Sequence, residues 1–233
     1  MLDHDQITET NAFDRGRADL RSHVIARTDR TVLAHILRNG INLAIWQRPV
    51  PNAIVHWLRK AALDDLPSTF RDIDFEGPAA GVGGLLAARM RSQTVREQAA
   101  NAALVSDVAD LASVTARIAH VTSVRIRLEW VTEQPCSYFH TDKVPLRLVC
   151  TYFGPGTEWL SDKAAKRLAA PDDVPAQIEI NRLAPGDVAV MRGAPYSSAI
   201  GTALTHRSPP LNPPSEWRLF LAIDPAPSGN VGR

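Results

Sequence analysis

Residues 139–160 read FHTDKVPLRLVCTYFGPGTEWL, and this stretch decides how the second half of the chain is interpreted. Its centre, Leu146–Phe153, is rich in the branched and aromatic residues that favour β-strands. His140-Thr141-Asp142 lies just before that strand, and Gly154-Pro155-Gly156 follows it as a turn. The stretch therefore predicts a strand with polar, chemically useful side chains at its entrance and a tight turn at its exit.

More short strands are predicted on both sides of this stretch. Val124–Val131, VRIRLEWV, alternates charged and apolar residues, which is the pattern of a half-buried strand. We predict further strands at 177–183, 187–191 and 217–223, separated by turns rich in proline and glycine. Several short strands with such turns indicate a sandwich or a barrel.

The first half of the chain predicts mainly helices. One helix is predicted at Thr31–Arg38, with Asp29 as its N-terminal cap. A second is predicted for AIVHWLRKAAL, with Asn52 as its cap. A long helix is predicted at about 95–119, with one buried face formed by Leu104, Val108, Leu111, Val114 and Ile118. We predict an α+β fold in which these N-terminal helices buttress a double-stranded β-helix, that is, a jelly-roll or cupin-like barrel.

The length of 233 residues predicts one folded domain. We place it at residues 31–233, with a mainly helical part at 31–120 and the β-barrel part at 121–233. Residues 1–30 are polar, and we expect partial disorder there. Lys and Arg number 26 against 25 Asp and Glu, and no basic block indicates a nucleic-acid partner.

The chain has no apolar run long enough for a membrane span, and its polar first dozen residues exclude a secretory signal. Two cysteines are too few for a disulfide scaffold, so we expect a cytoplasmic protein. The sequence identifies neither the substrate nor the oligomeric state.

Three histidine and aspartate positions carry the chemical prediction. Along a strand, residues two apart point the same way, so His140 and Asp142 can reach one ion, and His206 can join them from a distant strand. Two imidazoles and one carboxylate form the facial triad that suits Fe(II), because they leave open positions for a cosubstrate and dioxygen. We predict His140, Asp142 and His206 as metal ligands and catalytic centre.

Arg218 follows His206 by twelve residues, on a strand whose other side chains are mainly apolar. A buried guanidinium needs an anionic partner, and the dicarboxylate 2-oxoglutarate would supply one as cosubstrate. Tyr152 is a candidate to donate its hydroxyl to the same carboxylate, and ordinary packing in the barrel is the alternative for this residue. An internal ion pair of Arg218 with Asp187 or Glu216 is the alternative.

Other residues leave further alternatives open. Cys136 and Cys150 lie near His140 and would make zinc the metal if their thiolates joined the imidazoles. Glycines at 154 and 156 suggest either a close approach to a ligand or a plain turn, with Trp159 filling the barrel end. Glu158 is a candidate contact for substrate.

The stretch FHTDKVPLRLVCTYFGPGTEWL, together with PGDVAVMRG, LTHRSPP and RLFLAID, resembles the domain-of-unknown-function 1826 family of bacterial proteins over most of the chain. More remotely, the order His-x-Asp, His, Arg is similar to the Fe(II)/2-oxoglutarate oxygenase superfamily, including its prolyl-hydroxylase branch. That resemblance implies metal ligands at His140, Asp142 and His206, and a cosubstrate anchor at Arg218 helped by Tyr152. Four prolines lie between His206 and Arg218, a stiffer turn than that superfamily usually has.

The expected function is therefore a non-haem Fe(II), 2-oxoglutarate-dependent oxygenase that hydroxylates a C–H bond. A non-catalytic, cupin-like protein that senses, stores or buffers zinc or iron is the alternative, and an interaction module is a third. Binding of 2-oxoglutarate separates them, because only the oxygenase needs it.

Overall fold

A large β-sheet and a small one organise the computed structural model, which describes residues 23–63, 72–90, 98–168, 178–196, 202–212 and 216–227. The strands are β1 Val24–Arg27, β2 Leu43–Trp46, β3 Ile73–Pro78, β4 Ser123–Val131, β5 Leu146–Phe153, β6 Glu158–Leu160, β7 Ile180–Arg182, β8 Val188–Arg192, β9 His206–Arg207 and β10 Arg218–Ala226. The α-helices are α1 Asn52–Leu63, α2 Val82–Arg89, α3 Gln98–Ala119 and α4 Asp162–Ala165. Short 3₁₀ helices cover Arg30–Leu37, Ala79–Gly81 and Ala194–Tyr196.

The seven strands of the large sheet lie in the order β1-β2-β8-β5-β10-β4-β3, and the small sheet has the order β7-β6-β9. Strands β1 and β2 are parallel, and every other pair in the two sheets is antiparallel. The fold is thus a mixed α+β fold with a large, mainly antiparallel sheet. Hydrogen bonds between the described strands form two sheets and do not close one barrel.

The large sheet has one face toward the helices and one toward the small sheet. On β4 the apolar residues Val124, Ile126 and Leu128 are fully buried, and they share one core cluster with the predicted apolar face of α3. Full burial of one such side chain contributes about 1.5–3 kcal/mol. The larger of the described apolar clusters lies on this face of the sheet. Between the sheets a smaller cluster packs around Trp159.

Most predicted elements are present, with shifted ends. The segment after Asp29 is a 3₁₀ helix, and the Asp29 carboxylate accepts a hydrogen bond from Thr31 N at 2.7 Å. The elements that were not predicted from the sequence are β1, β3, β6, β9, α2 and α4. Strands of two to four residues are too short to show a clear alternation of apolar and polar residues. Strand β3 does alternate buried Ile73 and Phe75 with polar residues, so it could have been predicted.

Strand β1 lies inside the segment 1–30 that we set apart from the domain. Val24 pairs with Leu43 in the large sheet, so the folded part of the chain includes residues before 31. Residues 1–22 lie outside the described residues, as does the predicted helix start at 95–97. None of the described helices is both long and apolar enough to cross a membrane.

Candidate metal centre

His140 and His206 are brought together by the backbone. The two residues form an antiparallel bridge, in which His140 N donates to His206 O and His206 N donates to His140 O, both at 2.9 Å. Side chains of such directly opposed residues lie on the same face. The two imidazole centroids are 4.7 Å apart, although 66 residues separate the histidines in sequence, from 140 to 206.

Asp142 is placed by a close contact with the end of β8. Its carbonyl oxygen accepts a hydrogen bond from Ala194 N at 2.8 Å. A Cβ atom at Gly193 would lie 1.9 Å from the carbonyl oxygen of Val144, so only glycine permits this approach. The result is a carboxylate whose Oδ2 atom lies 3.5 Å from His206 Nε2.

Among the described residues, His140, Asp142 and His206 form a compact group, with one ligand atom of each within 4.8 Å of the others. Nδ1 of His140 lies 3.1 Å from Tyr138 O, and Nδ1 of His206 lies 3.2 Å from Leu204 O. We assign the ring proton to Nδ1 in both, because a carbonyl can only accept. Each Nε2 then keeps its lone pair for a metal.

The carboxylate of Asp142 also fits a cation. Its Oδ2 atom is buried and has no hydrogen-bond partner, which is costly for a charged oxygen. Burial lowers the pKa of His206, and the charge of Asp142 offsets part of this effect. A neutral imidazole is the form that binds a metal, so the donor set of two nitrogens and one oxygen suits Fe(II).

The other oxygen of Asp142 is held by Arg147, which sequence reasoning missed. Arg147 Nη1 donates to Asp142 Oδ1 at 2.6 Å, while its Nε and Nη2 donate to the two oxygens of Asp224 at 2.6 and 2.8 Å. An arginine on β5, five residues after Asp142, was the available signal.

Arg218 is 2% exposed and lies on the face of the large sheet that points to the small sheet. Its Nη2 donates to the hydroxyls of Thr151 and Thr157 at 3.0 and 3.4 Å, and its Nε is buried without a partner. The guanidinium lies 4.4 Å from the ring centre of Phe220. Burial lowers the pKa of Arg218 to about 10, with a partial offset from the charge of Glu129.

The predicted internal partners of Arg218 are engaged elsewhere, so that alternative was wrong. Asp187 accepts a hydrogen bond from Ala184 N at 2.9 Å, and Glu216 accepts one from Asn212 N at 2.9 Å. Within the described part of the chain, no carboxylate forms a salt bridge with Arg218. Two hydroxyls and an aromatic face solvate the cation without neutralising it.

A cavity of about 150 Å³ extends from the candidate histidine ligands to Arg218. His140 and His206 line it together with Arg147 and Arg218. The two candidate histidine ligands and the Arg218 cation therefore line one pocket. Asp142 joins the histidines through its Oδ2 atom, which lies 3.5 Å from His206 Nε2.

The structure corrects the assignment of Tyr152. Side chains alternate along β5, so Thr151 reaches Arg218 whereas Tyr152 points to the helices. The Tyr152 hydroxyl donates to Asp107 Oδ2 of α3 at 2.6 Å and takes no part in the pocket. The hydroxyls near Arg218 belong to Thr151 and Thr157 instead.

The thiols do not support a zinc site. Cys150 also faces the helices, and burial raises its pKa to about 12, so it does not supply a thiolate. Cys136 lines the cavity but is not part of the compact ligand group.

Glu158 and Trp159 have structural roles. Glu158 is buried and forms salt bridges with Arg182 and with Arg207, the latter at 2.8 Å. Both of its oxygens are thus used within the protein, which argues against the predicted contact with substrate. Trp159 is buried between the two sheets. Gly154 adopts a φ of 78°, as a turn requires, which favours the plain turn at this point.

Fold and site together define a mixed α+β protein with a His-Asp-His cluster whose two histidines share a pocket with a buried arginine. Residues 27–224 match the family described as "Protein of unknown function (DUF1826)". The chain belongs to this family, as the resemblance of the sequence had indicated. No curated protein matches it.

Several solved structures are similar to this chain at low identity. The dioxygenase for auxin oxidation 1 from Arabidopsis thaliana, in complex with 2-oxoglutarate, is 12% identical, and the match covers 88% of this chain and 92% of that one, with a TM-score of 0.45. A prolyl-4-hydroxylase from Pseudomonas putida is 12% identical over 85% and 94%, with a TM-score of 0.43. A full-length protein from Neurospora crassa, in complex with alpha-KG, is 11% identical over 90% and 86%, with a TM-score of 0.43.

Proposed function

We propose that this protein is a non-haem Fe(II), 2-oxoglutarate-dependent oxygenase. The observation that carries the proposal is a three-ligand group whose two histidines line the same pocket as Arg218, a buried cation without a counter-ion among the described residues. Either feature alone has an ordinary structural explanation. Together they match the two requirements of the reaction, a metal with open positions and an anchor for an anionic cosubstrate.

His140, Asp142 and His206 would hold the iron through two Nε2 atoms and Asp142 Oδ2. The backbone carbonyls of Tyr138 and Leu204 fix both ring orientations, so little rearrangement is needed on binding. Bound there with 2-oxoglutarate and dioxygen, Fe(II) supplies the chemistry that hydroxylates a C–H bond while 2-oxoglutarate becomes succinate and carbon dioxide.

Arg218 would bind the distal carboxylate of 2-oxoglutarate. Its buried Nε and the two threonine hydroxyls offer directed donors, and a dicarboxylate would supply the negative charge that this site lacks. The stacked Phe220 ring keeps the guanidinium in place. The role of Arg218 is therefore to bind and orient the cosubstrate with its other end toward the three ligands.

We also propose that the large and small sheets are the two halves of a distorted double-stranded β-helix. The ligand pair His140 and His206 lies at the edge of the small sheet, and Arg218 lies on the large one. This arrangement supports a site between two facing sheets.

The alternative is a cupin-like protein that only binds a metal. It accounts for the ligand group equally well, but it gives no reason for an unpaired, buried Arg218. Cosubstrate binding decides between the two.

An anaerobic titration with Fe(II), followed by 2-oxoglutarate, tests the proposal. The oxygenase should develop the weak visible charge-transfer band of the metal-bound 2-oxoglutarate chelate. His140→Ala and Asp142→Ala should lose metal binding and keep the fold, since both side chains lie outside the apolar core clusters. Metal binding without any band would favour the metal-binding alternative.

A further inference from the structure

Arg147 connects the candidate metal ligand Asp142 to a second buried carboxylate. Asp142 and Asp224 are 8% and 6% exposed, and Arg147 binds both of them. Nη1 is directed to Asp142, while Nε and Nη2 grip Asp224 with two hydrogen bonds. The guanidinium thus lies between two carboxylates, of which only one faces the histidines.

The sheet itself sets the position of Arg147. Leu148 on β5 pairs with Ile223 on β10, so Arg147 and Asp224 are the next residues along two antiparallel strands. Two-pronged pairing fixes both the place and the plane of a guanidinium. Asp224 therefore aims Nη1 of Arg147 at Asp142.

The two oxygens of Asp142 consequently differ. Oδ1 accepts the hydrogen bond from Arg147 at 2.6 Å, whereas Oδ2 has no hydrogen-bond partner among the described residues and lies 3.5 Å from His206 Nε2. We propose that Arg147, held by Asp224, is a positioning residue that keeps Asp142 bound to the metal through Oδ2 alone. The inference rests on the metal site of the proposed function.

This role has a clear chemical consequence. A carboxylate that binds through both oxygens occupies an additional coordination position. With Oδ1 engaged by Arg147, that position stays open for cosubstrate or dioxygen. A lysine would not serve, because one ammonium group cannot reproduce three hydrogen bonds in one plane to two separate carboxylates.

A purely structural clamp between β5, β10 and the loop at Asp142 is the competing account. It predicts a loss of stability in the metal-free protein and an unchanged coordination of the metal in any variant that folds. The positioning role instead predicts a changed ligand field.

The experiment titrates Co(II), which reports its coordination by visible absorption, into wild type, Arg147→Met, Arg147→Lys and Asp224→Asn. Arg125→Met is the matched control. Arg125 also grips an aspartate, Asp74, with two hydrogen bonds on the same sheet, but half of its side chain is exposed. Thermal unfolding of each metal-free variant measures the fold separately.

We expect Arg147→Met to weaken Co(II) binding by about 10–100-fold, the usual range for partners of metal ligands. Its Co(II) spectrum should change in position or intensity, because Oδ1 becomes free to coordinate. Arg147→Lys and Asp224→Asn should show the same spectral change to a smaller extent, and Arg125→Met should match wild type.

Wild-type affinity and spectrum in folded variants would overturn the proposal and leave the metal site intact. Loss of the metal-free fold in all three Arg147 and Asp224 variants would overturn it in favour of the structural clamp. A wild-type protein that binds no Co(II) would instead contradict the proposed function itself.

Discussion

Arg48 and Arg218 lie against opposite faces of the large sheet, Arg48 partly buried and Arg218 fully buried, and the two faces balance the charge differently. On the helix face, Arg48 donates to both oxygens of Asp107 at 2.6 and 2.7 Å. On the pocket face, Arg218 is more deeply buried, and its hydrogen-bond acceptors among the described residues are two threonine hydroxyls. Both lie over an aromatic ring, Arg48 over Trp46 and Arg218 over Phe220.

The difference indicates where the protein needs a bound ligand to balance a buried charge. Removing an ion from water costs several kcal/mol, which a buried partner repays only with good geometry. The helix face supplies that partner within the chain, whereas on the pocket face none of the residues that the structure describes does so. An incomplete ion pair inside a pocket is therefore the strongest sign of a ligand in this molecule.

Breaking the completed pair should have the largest effect. Asp107→Ala leaves the Arg48 cation and the Tyr152 hydroxyl buried without their acceptor. We expect the free energy of unfolding to fall by about 3–5 kcal/mol, as in other disrupted buried pairs. Urea denaturation measures this loss. Metal affinity of the folded fraction should not change, and a stability equal to wild type would mean that the two faces do not differ as described.

Removing Arg218 should weaken ligand binding and have little effect on stability, the reverse of what we expect for Asp107→Ala. Arg218→Ala should leave metal affinity unchanged and weaken 2-oxoglutarate binding by about 2–5 kcal/mol. The concentration of 2-oxoglutarate that gives half of the chelate band at fixed Fe(II) measures it. Arg218→Lys should recover part of the affinity, since an ammonium keeps the charge without the two-pronged grip. A large loss of stability with unchanged cosubstrate affinity would contradict the comparison.

Asp187 provides a pH test on the helix face. Burial raises the pKa of Asp187 to about 6, against the opposing hydrogen bonds from the backbone of Ala184 and Arg48. A raised pKa in the folded state means that this carboxyl favours folding below about pH 4, and that the contribution is lost as pH rises through 6. Asp187→Asn keeps an oxygen acceptor and removes the titration.

We therefore expect Asp187→Asn to be more stable than wild type by about 1–2 kcal/mol at pH 8, and to differ little at pH 4. Urea denaturation at both pH values checks this difference. A variant that is less stable than wild type at pH 8 would show that the charged carboxylate has a partner that the geometry does not reveal.

The smallest expected effect concerns Glu129, which lines the pocket beside Arg218. It forms a long salt bridge with Arg127 at 3.8 Å, and its side chain is 31% exposed. An incoming dicarboxylate is repelled by this charge, so Glu129→Gln should tighten 2-oxoglutarate binding by about 0.2–1 kcal/mol. Half-saturation of the chelate band again provides the measurement, and weaker binding would mean that Glu129 helps to order the site.

The sequence predicts the positions of the candidate ligands better than their surroundings. The two-residue repeat of a strand suggested that His140 and Asp142 reach one ion, and His206 was found from its order along the chain. In the structure His140 is held by its bridge to His206, and Asp142 by the hydrogen bond from Ala194 N. Tyr152 was assigned to the pocket but lies on the helix side of β5. The sequence does not show which side of a nearly all-apolar strand packs against the helices.

Arg147 and Asp224 were missed for a related reason. Their contact depends on the register between β5 and β10, which joins residues 77 positions apart in sequence. Neither the local pattern nor the spacing carries that register. Similarly, β9 has only two residues, so its pairing with β6 follows from the tertiary fold and not from a strand signal of its own.

Calorimetric titration of 2-oxoglutarate into the protein, with and without bound metal, tests the central claim most directly. Wild type loaded with Fe(II) under anaerobic conditions should bind one 2-oxoglutarate, metal-free wild type should bind it more weakly, and metal-loaded Arg218→Ala should bind it more weakly as well. Metal-loaded wild type that shows no binding of 2-oxoglutarate would contradict the account and leave a protein that binds only the metal.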